Sequence, residues 1–371
     1  MDNIIIQQLP FGDESLFTIL LFYIPFLLFL LYGQKIQFQM ALIEIGGMLN
    51  RLERMRNIAK FETSNVLRKF AKDEKIVEPG LNSILESFMI MPESMDPAGI
   101  VKKVEHIVDV RQDKLLNQVK RLLKDELEMS KVRNIEIMVE ATMALEIIYK
   151  VIRHFYLLAK KMGNLMLVIQ LQMLLPLIYN EAKAYLSAVF AFKSGAPVGD
   201  GIGPLSVHKL LKGEESKRSM AKDTDVYETS LEGRRTYIVK ASGPGGNVGK
   251  PSDAIGKIIE EDGNVKAVIM IDAALKLEGE KSGSVADGIG AAIGGIGVEK
   301  FKIEEVVTKY NIPIFAIVIK QSLPEAISVM NKNIVDAVEE VHNRVKKILV
   351  ENTKEGDSVI IAGIGNTIGI P

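Results

Sequence analysis

The rhythm of hydrophobic and polar positions changes twice along this chain. Leu16 to Tyr32, LFTILLFYIPFLLFLLY, carries no charge and sits at the lower length limit for a helix crossing a bilayer. From Gln34 to about Phe192 apolar residues recur at three- and four-residue steps with charges between them. That period predicts helices. After Lys193 glycines accumulate and short β-branched runs alternate with amphipathic stretches. Three parts follow: a membrane anchor over residues 1–33, a helical domain over 34–192 and an α/β glycine-rich domain over 193–371.

Within the helical part, Glu78 to Gly80 (EPG) and Pro92 to Gly99 (PESMDPAG) read as breaks, the second offering Asp96 as an N-cap with Pro97 at the first helical position. Leu165 to Ile178, LMLVIQLQMLLPLI, is apolar on all sides. It is short, carries Gln170 and Gln172, and continues as an amphipathic helix, so a buried or interfacial helix is expected rather than a second span.

The pattern after Lys193 predicts helices over Pro204–Lys212, Ser252–Glu261, Ile303–Tyr310 and Ala326–Val350. Strands are expected at Val226–Thr229, Thr236–Ala241, Ala267–Ile271, Pro313–Ile319 and Val359–Ala362. Strands alternating with helices imply a mostly parallel sheet covered on both faces.

Charge and composition exclude several classes of function. Net charge is −1, with 46 basic against 47 acidic residues, so no global field draws nucleic acid, and no local basic patch is evident. The absence of cysteine removes disulfides, thiolate catalysis and cysteine-based zinc sites. Leu16–Tyr32 is preceded by Asp2, Asp13 and Glu14, which is unlike a signal peptide. Lys35, Arg51, Arg54 and Arg56 follow it, so the positive-inside bias places the body of the chain in the cytoplasm, with Pro25 a site for a kink. Helical packing of the N-terminal part is compatible with a homo-oligomer and equally with a monomer.

Ligands in such sheets bind beyond the carboxyl ends of the strands. After Ala241 comes SGPGGNVGKPSDAIGKII, in which Gly243, Gly245, Gly246 and Lys250 could face an anion and Ser252 could cap the next helix. The stretch has neither the Walker spacing nor the dinucleotide fingerprint, and a structural turn is the alternative. After Ile271 comes Asp272, an aspartate at the end of an apolar strand that must be satisfied by donors, a cation or a shared proton. Ser284 to Glu299 is a glycine-rich loop able to approach a substrate. Gly195 to Leu211 holds Asp200 in a glycine turn that leads into a helix but has no strand before it, whereas VIIAGIGNTIGIP, with Gly363, Gly365 and Asn366, is a strand and turn with no helix after it. Joined, the two make one βα unit, so the domain reads as a circular permutation.

In that rejoined order the domain resembles the spore germination protease family and the hydrogenase maturation peptidases, over about 175 residues. The resemblance rests on Gly363-x-Gly365-Asn366, on GDGIGPL with Asp200, on the Pro-Gly loop before Lys250, on VIMIDAAL with Asp272, and on NIPIFAIVIKQSLPEAI. It implies a circularly permuted, phosphorylase/hydrolase-like α/β fold in which Asp200 and Asp272 are the two acidic active-site residues. Two carboxylates in one cleft could share a proton and activate water for attack on an amide. The histidine metal ligand of the maturation peptidases is missing from Ser282–Gly297, so no cofactor is expected and a divalent metal at Asp200 and Asp272 lacks support. His208 reads as a packing residue, and His106, His154 and His342 lie in helical patterns. As a whole the chain also resembles an uncharacterised archaeal family with an N-terminal membrane segment. Two functions stay open. One is a membrane-anchored hydrolase, an endopeptidase acting on a protein substrate. The other is a non-catalytic membrane-anchored protein whose cleft binds a ligand or partner, with Asp200 capping a helix and Asp272 bonded to loop amides.

Overall fold

The computed structural model of the chain describes residues 13–92, 99–213, 215–295 and 297–371. Contacts divide it into two units: residues 1–53 with 149–179, and residues 54–148 with 180–371. The division falls inside three long helices, α1 (Asp13–Phe70), α4 (Met129–Met162) and α5 (Leu165–Ser194). Two shorter helices lie between them in sequence, α2 (Glu74–Leu85) and α3 (Ile100–Leu122).

The expected break at Glu78–Gly80 does not exist. Those residues lie inside α2, whose start is set instead by Asp73, its side chain accepting from the Lys75 N–H at 2.9 Å. Pro79 is tolerated within the helix, and Gly80 is there because Leu122 of α3 packs where a Cβ would stand, 2.6 Å away. The proposed Asp96 cap lies outside the described residues. Leu67, Leu81, Ile84, Leu115, Val119 and Leu122 form the core where α1, α2 and α3 meet.

Of the N-terminal apolar segment, the described side chains from Leu21 to Tyr32 are exposed on α1, which includes Pro25. Among the described residues one helix, α5, is long and apolar enough to cross a membrane. Only 22% of its apolar window is buried, so it is not the buried core helix that its composition also allowed.

After α5, one 3₁₀ turn (Gly199–Gly201) leads into α6 (Ile202–His208), which stops short of the expected Lys212. Seven strands then form one sheet: β1 (Ser216–Ala221), β2 (Thr224–Leu231), β3 (Arg234–Ala241), β4 (Val265–Leu275), β5 (Val285–Ile289), β6 (Ile314–Gln321) and β7 (Ser358–Gly363). Their order is β1-β2-β3-β7-β4-β6-β5. The four central strands are parallel, while β1, β2 and β5 are antiparallel additions at the edges. The sheet is therefore mixed around a parallel core. β1 and β5 were not expected, because SKRSMA is polar and VADGI carries Asp287 and Gly288; edge strands need no apolar run.

Helices α7 (Pro251–Asp262), α8 (Val298–Lys309), α9 (Leu323–Ile327) and α10 (Lys332–Asn352) connect the later strands. The single helix expected over Ala326–Val350 is two. Ser322 and Glu325 make a reciprocal capping box on α9, and Asn331 caps α10 through the Ile334 N–H, so two start signals separate them. The central strands read as continuous apolar runs because both faces are covered. Ile269, Ile271 and Ile361 point to one core with Val341 and Val345 of α10; Val268, Met270 and Ile360 point to the other with Ile255 and Ile259 of α7 and Ile303 of α8.

Candidate functional site

The carboxyl ends of β4 and β7 position the two aspartates. β7 lies between β3 and β4, with Gly363 in register with Ile271. Just beyond it the Ile364 N–H donates to the Ile271 carbonyl at 2.8 Å. Asp272 follows at once, 7% exposed. Its Oδ1 accepts the Ala273 N–H at 2.7 Å, and the Gly294 amide also donates to it.

Asp200 sits in the 3₁₀ turn before α6, where its Oδ2 accepts the Asn366 N–H at 2.9 Å. Backbone packs directly on backbone here. A Cβ on Gly203 would stand 2.2 Å from the Ile364 carbonyl oxygen. Gly365, at φ +131°, would place one 2.0 Å from that of Asp200. Only glycine permits this approach.

The two carboxyls line one cavity of about 400 Å³, within the range of small-molecule and peptide subsites. The loop Val248–Pro251 and the glycine loop after Ala292, with Ile293, Gly294 and Gly295, form further sides. The remaining wall is α3, through Glu105, Val108, Arg111 and Gln112. Burial, followed by the negative charge of Asp200, holds the Asp272 carboxyl well above the usual carboxylate range, against the pull of the Ala273 and Gly294 amides. Burial raises Asp200 too, opposed by the Asn366 amide.

Of the other residues singled out in the sequence, Lys250 and Gly365 line this cavity. Gly246 and Asn366 line an adjoining recess of about 130 Å³, which shares Gln112, Val248, Gly249 and Lys250 with the first. Gly243, Gly245 and Gly363 line neither: they pack against Ile370, Ser130 and Gly203 respectively. The Gly246 N–H is taken by Asn134 Oδ1 of α4 at 2.8 Å.

The Lys250 ammonium is 2.6 Å from Asp109 Oδ1 and 3.8 Å from Glu299 Oε1. Ser252 is not an N-cap. Lys250 holds that position with Pro251 at the first helical residue, and the Ser252 N–H donates to Glu299 Oε2 at 3.1 Å. The anion at this helix start is thus the chain's own Glu299, while the closer partner of the lysine is Asp109.

The α3 wall was not foreseen, yet its signal is in the sequence. Glu105, Asp109 and Asp113 recur every four residues, a single stripe on a helix. They pair with Lys302 at 2.8 Å, Lys250 at 2.6 Å and Lys222 at 2.6 Å. Among the described residues no group of three or more His, Asp or Glu side chains is arranged to hold a metal ion. His208 lies on α6 outside the cavity lining, its pKa lowered by burial and by Lys240. His342 is bonded to the Ser206 carbonyl oxygen at 2.8 Å, His154 packs edge-on to Phe155, and His106 is exposed.

Fold and site together define a class: a helical N-terminal region followed by a mixed-sheet α/β domain with a carboxylate-lined cavity at the ends of its central strands. Two family models match, the protein of unknown function (DUF1512) N-terminal domain over residues 19–195 and the domain of unknown function (DUF1512) C-terminal over residues 198–371. The chain belongs to the DUF1512 family. No curated protein and no solved structure matches it.

Proposed function

We propose that this chain is a membrane-anchored hydrolase facing the cytoplasm, an endopeptidase that uses Asp200 and Asp272 as a proton-sharing pair. One observation carries the reading: the two aspartates line the same cavity, where burial first and the charge of Asp200 second raise the pKa of Asp272. The likeness to a circularly permuted germination-protease or hydrogenase-maturation-peptidase fold is supported by β7, the last strand, pairing between β3 and β4, and by the packing of the turn after it on the start of α6.

In the first step the Asp200 carboxylate takes a proton from water as the water oxygen bonds to the amide carbonyl carbon. The carbonyl π pair moves to oxygen, which receives the Asp272 proton. In the second step the C–N bond breaks as the amine takes the proton from Asp200, and the collapsing tetrahedral carbon returns a hydroxyl proton to Asp272. Both carboxyls end as they began. Such a pair needs one proton, so rate should fall at low pH as Asp200 protonates and at high pH as Asp272 ionises. Since both pKa values are raised, the optimum lies above that of an unperturbed aspartate pair.

The second reading, a binding module, is favoured by one feature: the Lys250 and Glu105 charges at the cavity are engaged in fixed ion pairs. The full chain in detergent, incubated with a proteome-derived peptide library, separates the two. Cleavage by the native chain that is absent in both Asp200→Asn and Asp272→Asn supports the hydrolase. Peptides retained uncut by the native chain support the binding module.

A further inference from the structure

The unit formed by residues 1–53 and 149–179 exposes apolar side chains on every helix it contains. On α1, Leu30, Ile36, Met40 and Ile43 are exposed, Ile43 by 74%. On α5, Met166, Met173, Leu174 and Leu177 are exposed, Met173 and Leu177 by 73% and 70%. An apolar groove runs along α1 from Phe26 to Ile43 and reaches Gln172 of α5. Gln172 is hydrogen-bonded to Glu44, and Tyr149 of α4 donates to Glu53 at 3.1 Å, so the three helices are fastened together inside this unit. Surface of this extent is not left facing water in a folded protein.

Charge identifies the occupant. Between Glu146 and Glu181 the chain has no acidic residue, while Lys150, Arg153, Lys160 and Lys161 are all exposed there on α4. Between Glu14 and Glu44 of α1 there is again no acid, and one base, Lys35. A second copy of this unit would set base against base. An anionic bilayer gains on both counts: apolar insertion and phosphate attraction.

We propose that the α4–α5 hairpin around Gly163 and Asn164 is a second membrane contact, with the apolar face of α5 from Leu165 to Tyr179 inserted into one leaflet of an anionic bilayer and the α4 bases held at the headgroups. The apolar part of α5 ends at Asn180, Glu181 and Lys183. At 1.5 Å per residue this uncharged stretch is about 22 Å long, short of the roughly 30 Å hydrocarbon core; α5 as a whole is long enough to cross, but only by drawing Glu181 and Lys183 into the hydrocarbon, so it enters without crossing. This contact is separate from the anchor proposed above at Leu16–Tyr32 and is independent of any chemistry at the aspartates. It would hold this unit to the membrane at a second point.

The chain has no cysteine, so single labels are straightforward to place. Nitroxides at Met166→Cys, Met173→Cys and Leu177→Cys, with Val350→Cys as an exposed control in the other unit, are read in the full chain by collision with oxygen and with a water-soluble nickel chelate. The vesicles are phosphatidylcholine alone or mixed with phosphatidylglycerol. The expected result is that the three α5 labels become oxygen-accessible and shielded from nickel in the mixed vesicles, while the control stays in water. Lys160→Glu with Lys161→Glu should return the α5 labels towards nickel in mixed vesicles and leave phosphatidylcholine vesicles unaffected. Labels at α5 that stay nickel-accessible in both lipids overturn the proposal. Spin–spin broadening independent of lipid also overturns it, by showing a second copy on the same face.

Discussion

Two walls of the cavity are built in opposite ways. The floor, where the start of α6 meets the ends of β4 and β7, is backbone packed on backbone at glycines. The α3 wall, from the first half of that helix, is only half-buried at residues such as Glu105, Val108 and Asp109, and the fully buried side chains of α3 all lie from Leu115 to Leu122. Ion pairs from Glu105 and Asp109, with Asp113 beyond, hold that half against the α/β region. The Lys222–Asp113 pair is exposed and contributes little, about 0–1 kcal/mol, whereas Lys250–Asp109 and Lys302–Glu105 are half-buried. The floor fixes the aspartates: the amides that bond the two carboxyls, of Ala273, Gly294 and Asn366, all lie outside α3.

The sharpest way to break this contrast is at the floor. Gly203→Ala pushes a methyl into the Ile364 carbonyl, and no flexible side chain can yield. A loss of roughly 3 kcal/mol is expected by chemical denaturation. Gly365→Ala should cost a similar amount, since it adds a positive φ to a clash with Asp200.

Next come the carboxyls. Asp200→Asn and Asp272→Asn should each reduce hydrolysis on the order of 10³-fold, measured on whichever library peptide the native chain cuts. Their effects on stability should differ from that. The Asp272 carboxyl has a folded pKa raised well above its unfolded value, so the folded state holds a proton the unfolded state has lost, and stability falls as pH rises between the two. Asp272→Asn removes that penalty. Its melting temperature should exceed the native one by about a few degrees at pH 7, and the gap should close as pH falls to the ordinary aspartate value of about 3.9.

The smallest effect belongs to the α3 wall. A double-mutant cycle on Lys250→Met and Asp109→Asn should give a coupling of about 0.2–1 kcal/mol, decreasing in 1 M salt. A coupling of several kcal/mol that salt does not change would make this wall as rigid as the floor.

The same contrast governs what the sequence disclosed. The floor was legible because its determinants are local: a β-branched run ending in Asp272, glycines around Asp200, and a last strand, Val359–Ala362, too apolar to be anything but buried. The partner of each element was legible only in part, since the hydrophobic pattern does not mark edge strands such as Ser216–Ala221, whose residues face water. The α3 wall was missed because an acid every fourth residue reads as a solvated helix face until Lys222, Lys250 and Lys302 are seen opposite. The anion reading of the Gly243–Lys250 loop recognised the right physics, a helix start and a lysine, without the Glu299 that satisfies both, because Glu299 is nearly fifty residues away in sequence. Gly80 shows the same limit: nothing in the Pro-Gly pair announces that it lies inside a helix with Leu122 of α3 packed against it.

The measurement that bears most directly on the shared-proton pair is a pH titration of the carboxyl carbons in the full chain labelled with ¹³C-aspartate, repeated for Asp272→Asn and Asp200→Asn. One carboxyl should titrate well above the ordinary aspartate range. It should vanish in Asp272→Asn and move downward in Asp200→Asn, as the neighbouring charge that raises it is removed. An Asp272 signal that titrates in the ordinary range, or one that Asp200→Asn leaves in place, would contradict a shared proton and with it the hydrolytic pair.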